Sequence, residues 1–178
     1  ILFIGGTGNI STDCGTVLQQ RGHRITMLTR GRTPVPAAYE ALPADRTDAA
    51  SLQRALAGRS FDAVIDFVGY DVPETALTVE ALRGRTRQFI FISTTVVYRK
   101  PPEVLPVTET APLGNRFSAY GRKKQACEEF LMEQQQRHDF PVTIVRPSHT
   151  YSCRWLPNPV SSRSEERRVG KECRSRWS

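Results

Sequence analysis

Residues 1–11 of the chain read ILFIGGTGNIS, which is the strongest indication of the fold in the sequence. The apolar run Ile1–Ile4 is typical of a short strand buried in a parallel sheet, and the glycines Gly5 and Gly6 end it in a turn. From Ile10 to Arg21 the apolar side chains recur at helical spacing. The sequence therefore predicts a strand, a glycine-rich turn and a helix in direct succession.

The same turn has the composition of a dinucleotide-binding turn. Gly5 allows the tight bend, and Gly8 allows the backbone to approach a pyrophosphate, which a helix N-terminus attracts. The third position, often glycine for close packing of helix on sheet, is Ser11, whose small side chain can preserve that packing. A plain connection between strand and helix is the competing interpretation. The turn residues assigned to the cofactor are Gly5, Thr7, Gly8, Asn9 and Ile10.

Strands and helices alternate along the rest of the chain. Predicted strands are Arg24–Thr29, a short strand through Leu42 that ends near Asp45, Ala63–Val68, Gln88–Ser93 and Val142–Val145. Predicted helices are Ala49–Ala57, Pro73–Leu82 and Ser118–Arg137. The alternation predicts an α/β fold, a doubly wound parallel Rossmann sheet of about six strands. Asp66 interrupts the apolar run of the fourth strand, so we expect it to pair with a nearby group.

The end of the second predicted strand bears on the choice of cofactor. NAD-binding folds carry an Asp or Glu there for the ribose 2′-hydroxyl, whereas residues 28–32 read LTRGR and contain no acid. Arg30 and Arg32 suit a 2′-phosphate, which favours NADP over NAD. Two solvated loop arginines are the alternative. Asp45, at the end of the third predicted strand, is assigned to the edge of the adenine ring.

Two later elements carry a candidate catalytic set. Tyr120 and Lys124 lie four apart in the long predicted helix and therefore share one face. An ammonium near a phenol lowers the pKa of the phenol and makes tyrosine a usable acid or base near neutral pH. The hydroxyl residues Ser93, Thr94 and Thr95 stand at the end of the fifth predicted strand, at the sheet edge where a hydroxyl can bond a substrate oxygen. Each feature alone also fits a surface pair or an ordinary strand end, but their order along the chain favours catalysis.

These motifs together resemble the extended short-chain dehydrogenase/reductase superfamily, in its NAD-dependent epimerase/dehydratase branch. The stretches that carry the resemblance are ILFIGGTGNIS, QFIFISTTVVY, YGRKK and VTIVRPSHTY, all within residues 1–151. The sequence departs from the pattern of that branch in three places, one of which is Phe67-Val68-Gly69, where many members have a Leu-Ala-Ala run. Ser11 replaces the third glycine, and Thr29 replaces a frequent acid at the end of the second strand.

The resemblance implies a role for each matching residue. Tyr120 would be the catalytic acid/base, Lys124 would hold the nicotinamide ribose, and Thr94 would be the catalytic hydroxyl residue. Pro147, after the sixth strand, would lie near the nicotinamide. Val68 would contact the cofactor at a position where many members have a Leu-Ala-Ala run.

The resemblance also implies an NAD(P)-dependent oxidoreductase, epimerase or dehydratase that acts on a hydroxyl or carbonyl group of a small molecule. Nucleotide sugars are the common substrates of this branch. Its members are longer and bind substrate through a C-terminal part, so we interpret the chain as a truncated fragment that is inactive alone. A homodimer through the Tyr120 helix is a further expectation of the full-length protein.

Two other functions stay open at this point. One is an RNA-binding protein that resembles the chloroplast stem-loop-binding proteins, which the motif VRPSHTY at residues 145–151 suggests. The other is an NADP-binding regulator without catalysis. The presence of Thr94, Tyr120 and Lys124 argues against the regulator.

The net charge of +7 would suit a nucleic-acid partner, but much of it lies in residues 163–178. That segment, RSEERRVGKECRSRWS, resembles the translation of a sequencing-library adapter. We therefore expect a disordered, non-native tail there and a truncated NAD(P)-binding domain over residues 1–162. The tail holds six basic and three acidic side chains, which leaves a charge of +4 for residues 1–162. Such a modest charge argues against nucleic acid.

Composition excludes several other classes. No apolar run reaches the length of a membrane span, so no membrane partner is expected. The four cysteines have neither the spacing of a metal site nor the density of a disulfide scaffold. Free thiols are typical of a reducing compartment, which predicts a cytoplasmic location and no metal.

Overall fold

The computed structural model describes residues 1–151, and its centre is a parallel sheet of six strands. The strands are β1 (Leu2–Ile4), β2 (Thr26–Thr29), β3 (Glu40–Pro43), β4 (Val64–Asp66), β5 (Phe89–Ile92) and β6 (Val142–Val145). The helices are α1 (Asn9–Gln20), α2 (Ala49–Leu56), α3 (Val72–Leu82) and α4 (Ala119–His138), and a 3-10 turn spans Thr95–Val97. Every predicted strand and helix is confirmed, with bounds that shift by one or two residues; the 3-10 turn is not predicted.

The strand order is β3-β2-β1-β4-β5-β6, and every neighbouring pair is parallel. This is the order of a doubly wound Rossmann sheet, which confirms the predicted fold class. The chain reverses its direction of travel between β1 and β4, and the loops that leave the two strands diverge there. Ligands of such sheets bind in the crevice that this divergence leaves.

Alternation along β1 divides the core into two layers. Leu2 and Ile4 belong to the larger apolar cluster, which side chains from α2, α3 and α4 complete. Phe3 lies on the opposite face, where it packs with Met27 of β2 and Leu18 of α1. Burial of a side chain of this size contributes about 1.5–3 kcal/mol. Both faces of the central strand are therefore covered.

The face covered by α1 is more open at β5 and β6. Ile90 and Ile92 alternate with buried phenylalanines along β5 and are only half-buried. Val145, which is paired in register with Ile92, continues the row on β6 and is exposed. Apolar rows of this kind normally pack against a helix. The two ends of this face thus differ in how well they exclude water.

Polar caps determine where the helices beside the crevice begin. The Asp71 carboxylate accepts the Glu74 N–H at 3.3 Å at the start of α3. The Ser118 hydroxyl accepts the Gly121 N–H at 3.0 Å at the start of α4. The other end of α4 stops at Asp139, whose φ of 50° is left-handed. Ser118 and Asp139 thus set the two ends of α4, the long helix that carries Tyr120 and Lys124.

The predicted domain boundary after residue 162 and the predicted non-native tail over residues 163–178 lie outside the described residues. Ile1–Pro147 form one compact unit. Across residues 1–151, none of the helices combines the length and apolarity that crossing a bilayer requires. The same part of the chain contains no group of three His, Cys, Asp or Glu side chains that could hold a metal ion.

Candidate active site

The turn after β1 contains two glycines that are tightly enclosed. Gly5 has a φ of 70°, a backbone conformation that favours glycine, and a Cβ there would lie 2.6 Å from Cγ1 of Val68. A Cβ on Gly6 would overlap the Met27 side chain. The Gly5 N–H donates to the Leu28 carbonyl at 3.3 Å. The turn is thus pressed against the ends of both β2 and β4, and any larger residue would displace a neighbour.

The first turn of α1 closes on its own cap residue. The Ser11 hydroxyl accepts the Gly8 N–H at 3.0 Å and donates to the Gly8 carbonyl at 3.1 Å. Ser11 is buried, so its small side chain fits the close approach of helix and sheet. Thr7 and Asn9 are exposed at this end of α1, and Ile10 is half-buried. A helix N-terminus exposed in this way attracts anions.

A cleft of about 380 Å³ opens beside the glycine turn, at the carboxyl ends of β1, β2 and β4. It brings together five residues that the sequence assigns to the cofactor, namely Gly5, Thr7, Arg30, Arg32 and Val68. Gly8, Asn9 and Ile10 follow Thr7 along the chain but do not line the cleft. Arg46, Tyr70 and Glu74 line it without having been predicted. The cleft is therefore cationic on the side of β2.

Asp45 directly precedes Arg46 on that cationic side. Its carboxylate accepts the Thr47 N–H at 2.9 Å and the Thr47 hydroxyl at 2.8 Å. These hydrogen bonds lower the pKa of Asp45, and the charges of Arg30 and Arg32 lower it further. Asp45 is thus a stable anionic acceptor next to the cleft.

Lys124 is buried, with 1% of its surface exposed. Its ammonium donates to the Gly69 carbonyl at 2.8 Å and to the Ile92 carbonyl at 2.6 Å. It also lies 5.3 Å from the centre of the Tyr70 ring, which lines the cleft. Burial lowers the pKa of Lys124, and the Asp66 carboxylate opposes that shift. The structure therefore holds a cation between the ends of β4 and β5.

Thr94 and Tyr120 belong to elements that pack together. Thr94 is buried after β5, and its Oγ1 accepts the Val96 N–H at 3.2 Å. Tyr120 lies in the first turn of α4 with 44% of its surface exposed. The neighbouring Gly121 approaches the 3-10 turn so closely that a Cβ would lie 2.7 Å from the Val96 carbonyl oxygen. This contact fixes the start of α4 against the segment that follows Thr94.

Pro147 lies at the same end of the sheet, after β6. Its carbonyl accepts the Thr95 N–H at 3.0 Å, so the pairing of β5 with β6 continues past the strands. The candidate residues thus form two groups. The residues of the first, at the glycine turn and the ends of β2 and β3, are Gly5, Thr7, Gly8, Asn9, Ile10, Arg30, Arg32 and Asp45. Those of the second, at the ends of β5 and β6 and on α4, are Thr94, Tyr120, Lys124 and Pro147, and Val68 lies at the cleft after β4.

Residues 1–169 match the model of the NAD dependent epimerase/dehydratase family. The chain belongs to this family. Membership confirms the resemblance seen in the sequence, and the glycine turn fits the dinucleotide that the family name implies. Gly5 and Gly6 leave the backbone bare at the mouth of the cleft, where any Cβ would collide with a neighbour.

Two curated relatives illustrate the range of this family. The 2'-dehydrokanamycin reductase of Streptomyces kanamyceticus is 32% identical over 131 residues, which cover 72% of this chain and 36% of the relative. The chloroplast stem-loop binding protein of 41 kDa b of Arabidopsis thaliana is 30% identical over 166 residues, or 85% of this chain and 42% of the relative. The chain therefore spans less than half the length of these two relatives.

Solved structures of family members share the fold. The UDP-glucose 4-epimerase of Thermus thermophilus, in complex with NAD, superposes with a TM-score of 0.76 at 22% identity. The superposition covers 90% of this chain and 58% of the epimerase. Similarity at this level of identity establishes the Rossmann architecture of the chain.

The family pattern did not predict a buried ion pair at the cleft. Arg46 Nη1 lies 3.0 Å from Asp66 Oδ1, and Arg46 Nη2 donates to Asp66 Oδ2 at 3.2 Å. The sequence predicted a partner for Asp66 but not its identity, because Arg46 is 20 residues away along the chain. A carboxylate within an apolar strand was the available signal.

A second buried ion pair, between Glu128 of α4 and Arg146 after β6, was also missed. Arg146 donates to Glu128 Oε2 from Nη2 at 2.7 Å and from Nε at 3.1 Å. The Ser93 hydroxyl donates to the same carboxylate, and Arg146 donates to the Tyr98 hydroxyl at 3.0 Å. Hydrogen bonds to Glu128 raise the pKa of Arg146 above its ordinary value. Glu128 follows Lys124 by four residues on the same helix face, and this spacing could have identified it.

Proposed function

We propose that the chain carries the cofactor-binding and catalytic half of an NADP-dependent enzyme that oxidises or reduces a carbinol carbon of a nucleotide sugar or related small molecule. One observation carries the proposal: the glycine-turn cleft is connected through the Tyr70 ring to the buried Lys124 ammonium. Such chemistry needs two parts, a dinucleotide cleft and a Tyr–Lys pair, and the pair here is Tyr120 and Lys124.

The glycine turn and the arginines after β2 would hold the cofactor. Gly5 and Gly8 admit a pyrophosphate to the end of α1, and Asp45 accepts a hydrogen bond from the adenine edge. Arg30 and Arg32 line the cleft with no acid at the end of β2, which supports a 2′-phosphate and hence NADP rather than NAD. When bound, the nicotinamide of this cofactor supplies the carbon that accepts or returns a hydride.

Three side chains would handle the proton and the substrate oxygen. The Lys124 charge favours the tyrosinate form of Tyr120, which takes the proton of the substrate hydroxyl and becomes the neutral phenol. Thr94 Oγ1 already accepts the Val96 N–H, so its own proton is left to donate to the substrate oxygen. Pro147 closes the nicotinamide end of the site. Lys124 also holds the nicotinamide ribose.

The substrate class rests on relatives rather than on this chain. The Thermus thermophilus relative acts on UDP-glucose by its name, and the Streptomyces kanamyceticus relative is a reductase of 2'-dehydrokanamycin. Both names describe a carbon that bears a hydroxyl or carbonyl group on a sugar ring. We therefore propose a sugar ring as the reacting part of the substrate.

The test is the substitution Tyr120→Phe in the complete protein. We expect turnover of a UDP-sugar or an aminoglycoside ketone to be lost, while NADPH binding, measured by titration, stays within about twofold because the phenol is not needed to hold the nucleotide. Tyr39→Phe, which removes a phenol beside α1, is the matched control and should retain turnover. Turnover in the Tyr120→Phe variant would remove Tyr120 from the mechanism.

A second candidate function is binding of a structured RNA, and the similarity to the chloroplast stem-loop binding protein favours it. A gel shift with a stem-loop RNA at physiological salt, on residues 1–162, separates the two proposals. We expect no shift because the net charge of that segment is only +4. A shift that resists competitor RNA would favour the RNA-binding function. A cytoplasmic location and a homodimer through α4 stay predictions.

A further inference from the structure

Asp66 is the most deeply buried acid of the cleft region and has a partner on each side. It ends β4 with 0% of its surface exposed. Arg46 meets it with two parallel hydrogen bonds, the geometry that fixes a guanidinium on a carboxylate. Its Oδ1 also accepts the Val68 N–H at 2.9 Å. The carboxylate therefore organises the turn that follows β4.

That turn contacts both parts of the proposed site. The Val68 side chain closes over Gly5, where a Cβ would lie 2.6 Å from Cγ1. The Gly69 carbonyl accepts a hydrogen bond from the Lys124 ammonium at 2.8 Å. Gly69 itself is confined, since a Cβ there would lie 3.0 Å from Asp66 Oδ2 and 2.5 Å from the Phe91 ring. A shift of Asp66 would therefore displace the contacts of both Gly5 and Lys124.

Arg46 extends this series of contacts into the cleft. It lines the cleft beside Thr7 and Arg30, yet only 11% of its side chain is exposed. Its Nε is buried without a hydrogen bond, and Glu74 Oε2 lies 3.6 Å away. Asp66 thus holds the Arg46 side chain on one side, and the cleft borders it on the other.

We propose that Arg46 and Asp66 are positioning residues that couple nucleotide binding in the cleft to the placement of the Lys124 ammonium. The proposal rests on the proposed function, in which the cleft takes NADPH and Lys124 holds the ribose. It adds a specific route, from Arg46 through Asp66 and the turn at residues 68–69 to Lys124. Neither residue of the pair touches a reacting atom.

The chemistry of the pair explains why both members are needed. Arg46 neutralises a carboxylate that would otherwise lie unpaired beside a site for a polyanion. The Asp66 carboxylate in turn offsets the burial of the Lys124 charge. A well-packed apolar pair could fill the same volume, but it would neither hold the Val68 N–H nor balance Lys124.

The test is a double-mutant cycle on NADPH binding by the full chain, titrated by calorimetry. Asp66→Asn is made in the wild-type chain and in a Lys124→Met background. Asparagine keeps an oxygen for the Val68 N–H, so the turn keeps that hydrogen bond while the charge and the second oxygen are lost. We expect Asp66→Asn to weaken NADPH about tenfold in the wild-type chain and less than about threefold in the Lys124→Met background, because the route is already broken there.

Two further variants keep the test decisive. Arg46→Lys preserves the charge but loses the paired hydrogen bonds, and it should give the same dependence on Lys124. Arg59→Met, in the exposed pair with Glu40, should leave NADPH affinity unchanged in both backgrounds. Equal losses in the two backgrounds would overturn the coupling and leave a purely structural ion pair. A wild-type chain that binds neither NADPH nor NADH would overturn the proposed function, and the coupling with it.

Discussion

The two buried ion pairs use the same chemistry in different halves of the sheet. In each, an arginine that follows an edge strand meets a carboxylate nearer the centre: Arg46 follows β3 and Arg146 follows β6. Asp66 also accepts a hydrogen bond from the Val68 N–H in the turn at the cleft, whereas Glu128 accepts one from the Ser93 hydroxyl and thereby ties α4 to the end of β5. The neighbours, rather than the ion pairs themselves, decide what each pair does.

Removal of either arginine should give the largest effect on stability. Arg46→Met and Arg146→Met each leave a buried carboxylate unpaired, which costs about 3–5 kcal/mol of unfolding free energy. Urea denaturation measures this loss for both variants. Only Arg46→Met should also weaken NADPH binding by more than the smaller folded fraction explains. Equal effects of the two variants on NADPH affinity would erase the distinction between the two halves.

Glycine substitutions in the two halves of the site test the same difference with a smaller loss of stability. Gly5→Ala forces a left-handed alanine against Val68, so we expect a loss of about 1–3 kcal/mol and of NADPH binding. Gly121→Ala pushes α4 away from the Val96 carbonyl, so it should lose turnover in the complete protein because Tyr120 moves with the helix, and weaken NADPH binding less than Gly5→Ala does because the glycine turn is intact. Thermal unfolding and NADPH titration distinguish them.

Gly58→Ala is the control for these substitutions. Its φ of 68° is equally left-handed, but nothing lies within 4 Å of the added Cβ. It should cost about 1–2 kcal/mol from backbone strain alone and leave NADPH affinity intact. A binding defect in Gly58→Ala would mean that strain, rather than the contact with Val68, explains the Gly5→Ala result.

Charge at the mouth of the cleft should affect only one cofactor. Arg30→Ala combined with Arg32→Ala removes the groups that suit a 2′-phosphate, which is worth about 1.5–3 kcal/mol for a hydrogen bond to a charged group. We expect NADPH to bind at least about tenfold more weakly and NADH to change by less than about twofold. Tighter binding of NADH than NADPH by the wild-type chain would contradict the NADP preference.

The smallest expected effect comes from an exposed ion pair at the start of β3, the end of that strand away from Arg46. Arg59 donates to Glu40 at 2.7 Å and lowers its pKa, so this pair adds stability at neutral pH that is lost as the pH falls through the lowered value. Glu40→Gln should therefore cost about 0.2–1 kcal/mol at pH 7 and nothing at low pH. Denaturation curves at the two pH values measure this difference, and a loss as large as that of Arg46→Met would contradict the role of burial.

Local patterns in the sequence were sufficient for the fold. The alternation of Leu2, Phe3 and Ile4, the glycines of the turn and the helical spacing of each amphipathic segment are all decided within a few residues. The parallel pairing follows from the regular alternation of strand and helix, because parallel neighbours require crossovers. The alternation does not determine the order of the strands, since doubly wound sheets of different order share it.

The ion pairs and the 3-10 turn depended on contacts that no local pattern encodes. Arg46 reaches Asp66 only because the carboxyl ends of the parallel strands β3 and β4 lie at the same end of the sheet. Arg146 reaches Glu128 only because α4 packs across β6. The 3-10 turn over Thr95–Val97 is set by the Thr94 cap and by the close approach of Gly121. The sequence shows the spacing that places Lys124 and Glu128 on one helix face, but it does not show that Glu128 pairs with Arg146.

The hydroxyl of Ser11 has a consequence for how such a turn evolves. Because it occupies the Gly8 N–H and carbonyl together, it stabilises the helix start while it withdraws one donor from any anion at the turn. A serine codon and a glycine codon can differ by one base, so a single mutation would exchange helix stability for anion affinity. This position therefore provides a simple trade-off along which relatives can diverge without altering the sheet.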